Sequence, residues 1–215
     1  MITLIVATGN AHKVEEIQTI LGDGFKCHTL KEFDNPPEPI EDGDTFAANA
    51  TIKAASLADW ITKNHRDEFQ GAYILADDSG LEVDALSGAP GIHSARFAAL
   101  DTGTPGNSSD ADNNAKLLRL LANVPDAQKS GRFRCVLSLM TVAPGDGRTP
   151  RIFEGASEGR LESNPSGTAG FGYDPLFVPE GYEQSYAELG ETIKNTLSHR
   201  ARAVEKLKVY FAAIS

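Results

Sequence analysis

A short apolar run that ends in two carboxylates constrains this chain more than any other segment. Residues 72–76 (Ala-Tyr-Ile-Leu-Ala) have the length and composition of a buried strand, and Asp77-Asp78-Ser79-Gly80 follow directly. Ligands of open α/β sheets lie just outside the carboxyl ends of the strands. Paired carboxylates, a hydroxyl and a turn glycine there suit a divalent cation and an activated water. A polar turn without any ligand has the same composition, so both interpretations stay open at this point.

Strands and helices alternate along the chain. Further strands are predicted over residues 2–7, 26–30, 132–143 and 151–157, and helices over residues 13–21, 45–60, 110–121 and 198–213. A turn at residues 144–147 would make the last two strands antiparallel neighbours, and residues 163–179 are expected to be irregular. The pattern predicts an α/β fold with a mixed central sheet, in a single domain over residues 1–215.

Composition excludes several classes of protein. A net charge of −10 over 215 residues argues against a nucleic-acid surface, which needs a basic patch. Cys27 and Cys135 stand far apart, in no spacing typical of a zinc site or a disulfide framework. The first residues resemble neither a signal peptide nor a membrane span, so we expect a cytoplasmic protein with no membrane partner.

Two lysines lie where an anion would explain them. The segment from Thr8 to Lys13 joins a strand to a helix, and the helix N-terminus together with Lys13 would attract phosphate. An ordinary N-cap at Thr8 or Asn10 is the alternative. Lys53 falls on the apolar stripe of the second helix, where either snorkelling to water or a buried anion, such as a phosphate or Asp78, would accommodate it.

Two later segments have features of a base-binding site. Phe171-Gly172-Tyr173-Asp174 places an aromatic ring and a carboxylate in a glycine-rich stretch, where they can stack on a base and bond to its edge. Packing of the ring over a strand end is the alternative. His199 and Arg200 put cations at the positive end of the last helix, a conflict of about 0.3–1 kcal/mol that hints at a ligand.

Six segments, in order along the chain, resemble the Ham1-type non-canonical purine nucleoside triphosphate pyrophosphatases, the inosine triphosphatase family. They are residues 7–13, 45–54, 76–81, 90–97, 171–175 and 198–200. The resemblance implies an elongated two-lobed α/β fold with a nucleotide cleft between the lobes, and a homodimer. It also implies Mg²⁺-dependent hydrolysis of ITP, dITP and XTP to the monophosphate and pyrophosphate, which cleanses the nucleotide pool.

The resemblance also implies roles for individual residues. Asp78 would be the general base and a metal ligand, and Ser79 would contact substrate. Residues expected to hold the triphosphate are Thr8, Gly9, Asn10, Ala11, His12, Lys13 and Lys53. Residues expected around the base and sugar are Phe171, Gly172, Tyr173, Asp174, Lys194, His199 and Arg200. Because Arg200 can only donate hydrogen bonds, it would favour 6-oxo purines over adenine.

The second metal ligand departs from the family pattern. Where the family often has an acidic residue, this chain has Ile40. Either the neighbouring Glu41 is the ligand, or water and phosphate oxygens complete the shell around Asp78. Two other functions remain alternatives: a Maf-type pyrophosphatase acting on other bases, and a nucleotide sensor that does not hydrolyse. The segments at Phe171 and Ser198 argue against the first, and the carboxylates beside Ser79 against the second.

Overall fold

The computed structural model describes residues 1–142 and 149–214. Its strands are β1 (Ile2–Val6), β2 (Phe25–Thr29), β3 (Tyr73–Val83), β4 (Ser130–Thr141), β5 (Arg151–Leu161) and β6 (Phe177–Pro179). Its α-helices are α1 (Ala11–Leu21), α2 (Phe46–Asn64), α3 (Asp110–Leu121), α4 (Tyr186–Leu197) and α5 (His199–Ile214). The strands form one sheet in the order β2-β1-β3-β4-β5-β6, in which β1 is parallel to β2 and β3, and β6 is antiparallel to β5. The predicted mixed α/β sheet is confirmed.

Strand β3 corrects the interpretation of the acidic segment. It does not end at Asp77 but continues through both carboxylates to Val83. Successive side chains of a strand point to opposite faces, so Asp77 and Asp78 lie on opposite faces of the sheet. Leu75 packs with residues of α1 and α5, whereas Ile74 and Ala76 pack with α2. The carboxylates can remain inside a strand because each has cationic partners on its own face.

The chain divides into two compact units. The first unit lies within residues 1–78, 135–154 and 200–215, and the second within residues 79–134 and 155–199. The first unit has an apolar cluster on each face of its strands, one with α1 and α5 and one with α2. The second unit has its own core, which includes Leu81, Phe133, Leu161, Phe177 and Tyr186. Each unit therefore has an apolar core of its own.

Helix boundaries differ from the predicted ones for local reasons. Helix α1 begins at Ala11, two residues early, because the Asn10 side chain caps it by accepting from the Lys13 amide at 3.2 Å. Helix α2 continues to Asn64 instead of residue 60. Ser109, and not Asp110, is the N-cap of α3. Ile214, at the end of α5, is 53% exposed.

Helix α4 was not predicted. Ser185 and Glu188 form a capping box at its start, but Gly190, at φ 76°, interrupts the helical backbone and the periodicity that sequence analysis depends on. The expected turn at residues 144–147 lies outside the described residues. Among the described helices, none combines the length and the hydropathy needed to cross a bilayer.

Candidate catalytic site

Lys53 lies between two carboxylates in the first unit. Its Nζ is 2.9 Å from Asp78 Oδ1 and 3.1 Å from Glu41 Oε2. Helix α2 supplies the lysine, β3 supplies Asp78, and the loop before α2 supplies Glu41. Of the two explanations offered for a lysine on the apolar stripe, pairing with Asp78 is therefore the one that the structure shows.

Burial and the neighbouring charges have opposite effects on the pKa values of Asp78 and Lys53. Burial is the largest influence on Asp78 and raises the pKa of its carboxyl, although Lys53 and Lys13 oppose that effect. Burial alone would lower the pKa of Lys53, but Asp78 and Glu41 outweigh it and raise that pKa. A carboxylate with a raised pKa beside a firmly protonated lysine is better suited to accept a proton than an ordinary surface aspartate.

Asp77 has a different environment on the other face of β3. Its Oδ1 is 2.5 Å from Lys13 Nζ, its Oδ2 is 2.9 Å from Arg200 Nε, and Cys135 Sγ lies 3.3 Å from Oδ2. Burial would raise the pKa of Asp77, but the cations of Arg200 and Lys13 hold it well below its usual range. Both oxygens of Asp77 are therefore engaged by the protein itself.

One oxygen of Asp78 is not engaged in this way. Asp78 Oδ2 is buried and has no hydrogen-bond partner within the described ranges 1–142 and 149–214. A buried carboxylate oxygen without a donor is costly, and such an atom calls for a bound water or cation. This atom distinguishes Asp78 from Asp77 as the group available to a ligand.

The loop that carries Glu41 is held by Asn49 of α2. Asn49 Oδ1 accepts a hydrogen bond from the Gly43 amide at 2.9 Å, and the Asn49 side chain is buried. A Cβ at Gly43 would lie 2.7 Å from both Ala48 Cβ and Asn49 Oδ1, so only glycine fits there. Asn49 and Lys53 are one helical turn apart, so the same face of α2 positions the loop and binds its carboxylate.

The Thr8–Lys13 segment has the N-cap role considered for it, and its lysine has a carboxylate partner. Asn10 is the N-cap of α1, as the alternative interpretation proposed, while Lys13 reaches Asp77. Thr8 Oγ1 accepts from the Asn10 amide at 3.2 Å. A Cβ added at Gly9 would meet nothing within 4 Å, and residues Gly9 to His12 are exposed. The segment is open to a ligand, and its role in phosphate binding stays a prediction.

Most residues predicted to contact the base lie in the second unit. Lys194 Nζ is 2.6 Å from Asp174 Oδ2 and 4.5 Å from the centre of the Phe171 ring, and Lys194 and Asp174 are both 2% exposed. The same Asp174 oxygen accepts from the Phe171 amide at 2.9 Å. His199 stacks on Phe133 with ring centres 4.9 Å apart. The structure thus brings Phe171, Asp174 and Lys194 together.

Arg200 has partners other than those expected. It belongs to the first unit, is 1% exposed, and pairs with both Asp77 and Glu16. Those carboxylates outweigh the effect of burial and raise its pKa further. A contact between Arg200 and the base stays a prediction, whereas its ion pairs are an observed feature of the site.

Sequence reasoning did not identify Glu16 as part of this network. A usable signal was present, because Glu16 stands three residues after Lys13 on α1 and residues at that spacing share a helix face. That spacing relates Glu16 to Lys13 but not to its partner. Arg200 lies 184 residues away, and no local pattern encodes a contact between them.

The described carboxylates around Lys53 are too few to bind a metal ion without other ligands. Across the part of the chain that the structure describes, no three His, Cys, Asp or Glu side chains form a group that could hold a metal ion. Mg²⁺, however, is usually bound through one or two carboxylates together with water and substrate phosphates. Asp78, with its unpartnered buried oxygen, and Glu41, joined to it through Lys53, fit that smaller donor set.

The fold and this centre define a mixed α/β protein in which two buried carboxylates of β3 pair with lysines of α1 and α2. The chain belongs to the Ham1 family, whose model matches residues 4–210. It is 41% identical over 211 residues to the dITP/XTP pyrophosphatase of Opitutus terrae, covering 95% of this chain and 96% of that one. It is 47% identical over 206 residues to the dITP/XTP pyrophosphatase of Vibrio cholerae, covering 95% and 94%.

Solved structures agree with this membership. The Ham1 protein of Coxiella burnetii is similar with a TM-score of 0.80 at 35% identity, covering 99% of this chain and 100% of that one. The Ham1 protein of Staphylococcus aureus is similar with a TM-score of 0.79 at 30% identity, with the same coverage. The predicted family is therefore confirmed by sequence and by fold.

Proposed function

We propose that this chain hydrolyses the non-canonical purine nucleoside triphosphates dITP, XTP and ITP to the monophosphate and pyrophosphate. Relatives at 41–47% identity bear the name dITP/XTP pyrophosphatase, which supports the substrate class. The observation that carries the chemistry is Asp78, whose Oδ1 pairs with Lys53 while its buried Oδ2 lacks a partner among the described residues. This carboxylate can accept a proton from an attacking water.

The reaction uses the charges of the first unit. Asp78 removes a proton from water as the water oxygen bonds to the α-phosphorus, and the bond from that phosphorus to the bridging oxygen breaks. Pyrophosphate leaves with the bonding electron pair. Lys53 and Lys13 neutralise charge on the phosphate oxygens, and the amides at the start of α1 donate to them. Asp77 and Arg200 hold Lys13 and the start of α5 in place through their ion pairs.

We further infer that the cation is Mg²⁺, held by Asp78 and Glu41. When bound, the cation would offset the charge of the triphosphate and lower the pKa of a coordinated water. Lys53 lies 2.9 Å and 3.1 Å from the two carboxylates and would hold them near each other in the absence of the cation. Water and phosphate oxygens would supply the remaining ligands.

Base recognition is assigned to the second unit. Phe171 supplies aromatic surface and Gly172 leaves space open beside it, whereas Tyr173 is buried in the core of this unit. The buried pair of Lys194 and Asp174 is neutral overall, which suits an uncharged base better than a phosphate. A homodimer and a location in the cytoplasm stay predictions.

Product analysis tests the proposed function. Purified protein with Mg²⁺ is incubated with ITP, dITP, XTP, ATP, dGTP, UTP and 7-methyl-GTP, and the products are separated by ion-exchange chromatography. We expect IMP, dIMP or XMP with pyrophosphate in equal amounts, and little product from ATP. Diphosphate with free orthophosphate would contradict the α–β cleavage. Tight binding of the nucleotide without any product would favour the non-hydrolysing sensor, and preference for a pyrimidine or methylated base would favour the Maf-type alternative.

A further inference from the structure

Two side chains of helix α3 bind the backbone of Gly172, in the loop that carries Phe171. Asp110 Oδ2 accepts a hydrogen bond from the Gly172 amide at 2.7 Å, and Asn114 Nδ2 donates to the Gly172 carbonyl at 3.0 Å. The two side chains are four residues apart and therefore lie one turn apart on one face of the helix. Both polar backbone groups of Gly172 are thus bound by a single helix.

Gly172 has a backbone conformation that benefits from such support. Its φ of 62° is in the left-handed region, which side chains disfavour, and a Cβ there would meet nothing within 4 Å. The glycine is therefore required by backbone conformation and not by crowding. Because glycine has more conformations open to it than other residues, holding it in one orientation costs more entropy.

The residues around Gly172 are fixed by other contacts in the same unit. Asp174 accepts from the Phe171 amide, and Lys194 lies over the Phe171 ring. The Tyr173 hydroxyl donates to the Ser94 carbonyl at 2.9 Å, which gives the segment at residues 90–97 a structural role that sequence reasoning had left unassigned. With its neighbours held, the amide and the carbonyl of Gly172 itself remain, and these are the groups that α3 binds.

We propose that Asp110 and Asn114 are positioning residues for the purine base. By holding Gly172 they keep the Phe171 ring and the Asp174 carboxylate in the orientation in which a base can stack and bond. The inference rests on the proposed role of residues 171–174 in base binding. It adds two residues of α3 that neither the family segments nor the sequence pattern had pointed to.

The test compares Asp110→Ala and Asn114→Ala with two matched variants. Asp110→Asn is the conservative variant, since its amide oxygen can still accept from the Gly172 amide. Asp112→Ala is the control, because it removes a carboxylate from the same first turn of α3, where Asp112 contacts Ser109. Hydrogen–deuterium exchange of residues 168–176 reports on the loop. Calorimetry with inosine monophosphate and with inorganic pyrophosphate reports separately on base and phosphate binding.

We expect the amides of residues 168–176 to exchange faster in the two alanine variants. We also expect these variants to bind inosine monophosphate about 5–30-fold more weakly, because each loses one hydrogen bond to Gly172. The affinity for pyrophosphate should not change. In turnover assays KM for ITP should rise with little change in kcat, because a binding contact and not a reacting group is lost. Asp110→Asn should retain most of the affinity, and Asp112→Ala all of it.

Equal losses for inosine monophosphate and pyrophosphate would overturn the inference, since they would indicate general damage to the fold. Unchanged exchange and affinity in both alanine variants would also overturn it, as would a control variant that behaves like them. The binding measurements need no turnover. A wild-type protein that bound inosine monophosphate but released no pyrophosphate would contradict the proposed function alone.

Discussion

Asp77 and Asp78 are adjacent in β3, yet their carboxylates lie on opposite faces of the sheet and have different partners. Asp77 is enclosed by Lys13 and Arg200, whereas Asp78 pairs with Lys53 through one oxygen and keeps the other without a partner among residues 1–142 and 149–214. The alternation of side chains in a strand separates two chemically identical groups into different environments. Asp77 is therefore a buried counter-ion of Lys13 and Arg200, and Asp78 is the carboxylate that we propose as the reacting group.

Asp78→Asn should abolish most of the activity while leaving the protein folded. The amide cannot accept the proton from water and binds a cation poorly, so turnover of ITP should fall by at least ~100-fold. Its oxygen can still accept from Lys53, which preserves the local packing. Steady-state kinetics and a thermal melt check both points. A near-normal rate in this variant would place the proton acceptor elsewhere.

Arg200→Ala should destabilise the fold, because it leaves Asp77 and Glu16 buried without their shared cation. Breaking a buried pair by removing one partner costs about 3–5 kcal/mol. Urea unfolding followed by circular dichroism measures the change, with Arg202→Ala, an exposed arginine on the same helix, as the control.

The same Arg200→Ala variant also tests the predicted contact with the base. If Arg200 selects 6-oxo purines, the rate with ITP should fall far more than the residual rate with ATP. A site built around a hydrogen bond can favour one substrate over another by ~10⁴-fold or more. If Arg200 acts through Asp77 and Glu16, both rates should fall by the same factor. The ratio of kcat/KM for ITP and ATP separates the two roles.

Glu41→Gln should raise the Mg²⁺ concentration needed for half-maximal activity. The variant removes one of the two carboxylates assigned to the cation and leaves Asp78 and Lys53 in place. Manganese binding measured by electron paramagnetic resonance should weaken in parallel. Glu38→Gln alters an exposed glutamate of the same loop and should leave the metal requirement unchanged. An unaltered requirement in Glu41→Gln would mean that water and phosphate oxygens alone complete the shell.

The family resemblance predicts a homodimer. Light scattering combined with size-exclusion chromatography at micromolar concentration should give about twice the 23.0 kDa mass of the chain. A mass equal to that of one chain, unchanged up to the highest concentration tested, would refute this prediction.

The sequence by itself determined the family, the mixed α/β class and most of the elements. Six motifs in order identified the family, and the apolar periodicity of β1, β2, α1, α2 and α5 located those elements to within a few residues, apart from the end of α2. Each of these signals is local, because it depends on residues within one turn or one strand of each other. Lys53 was also singled out, since a lysine on an apolar stripe needs either a route to water or a buried anion, and the structure shows the pair with Asp78.

Only the tertiary structure decided where the carboxylates point and what they contact. Asp-Asp-Ser-Gly has the composition of a turn, and β3 passes through it because Lys13, Lys53 and Arg200 arrive from segments up to 123 residues away. These long-range ion pairs outweigh a local turn preference of small magnitude, and they have no signature in the neighbouring residues. The resemblance placed Arg200 at the base. Its buried partners Asp77 and Glu16 are also distant in sequence, so only the packing of the helices on the sheet shows them.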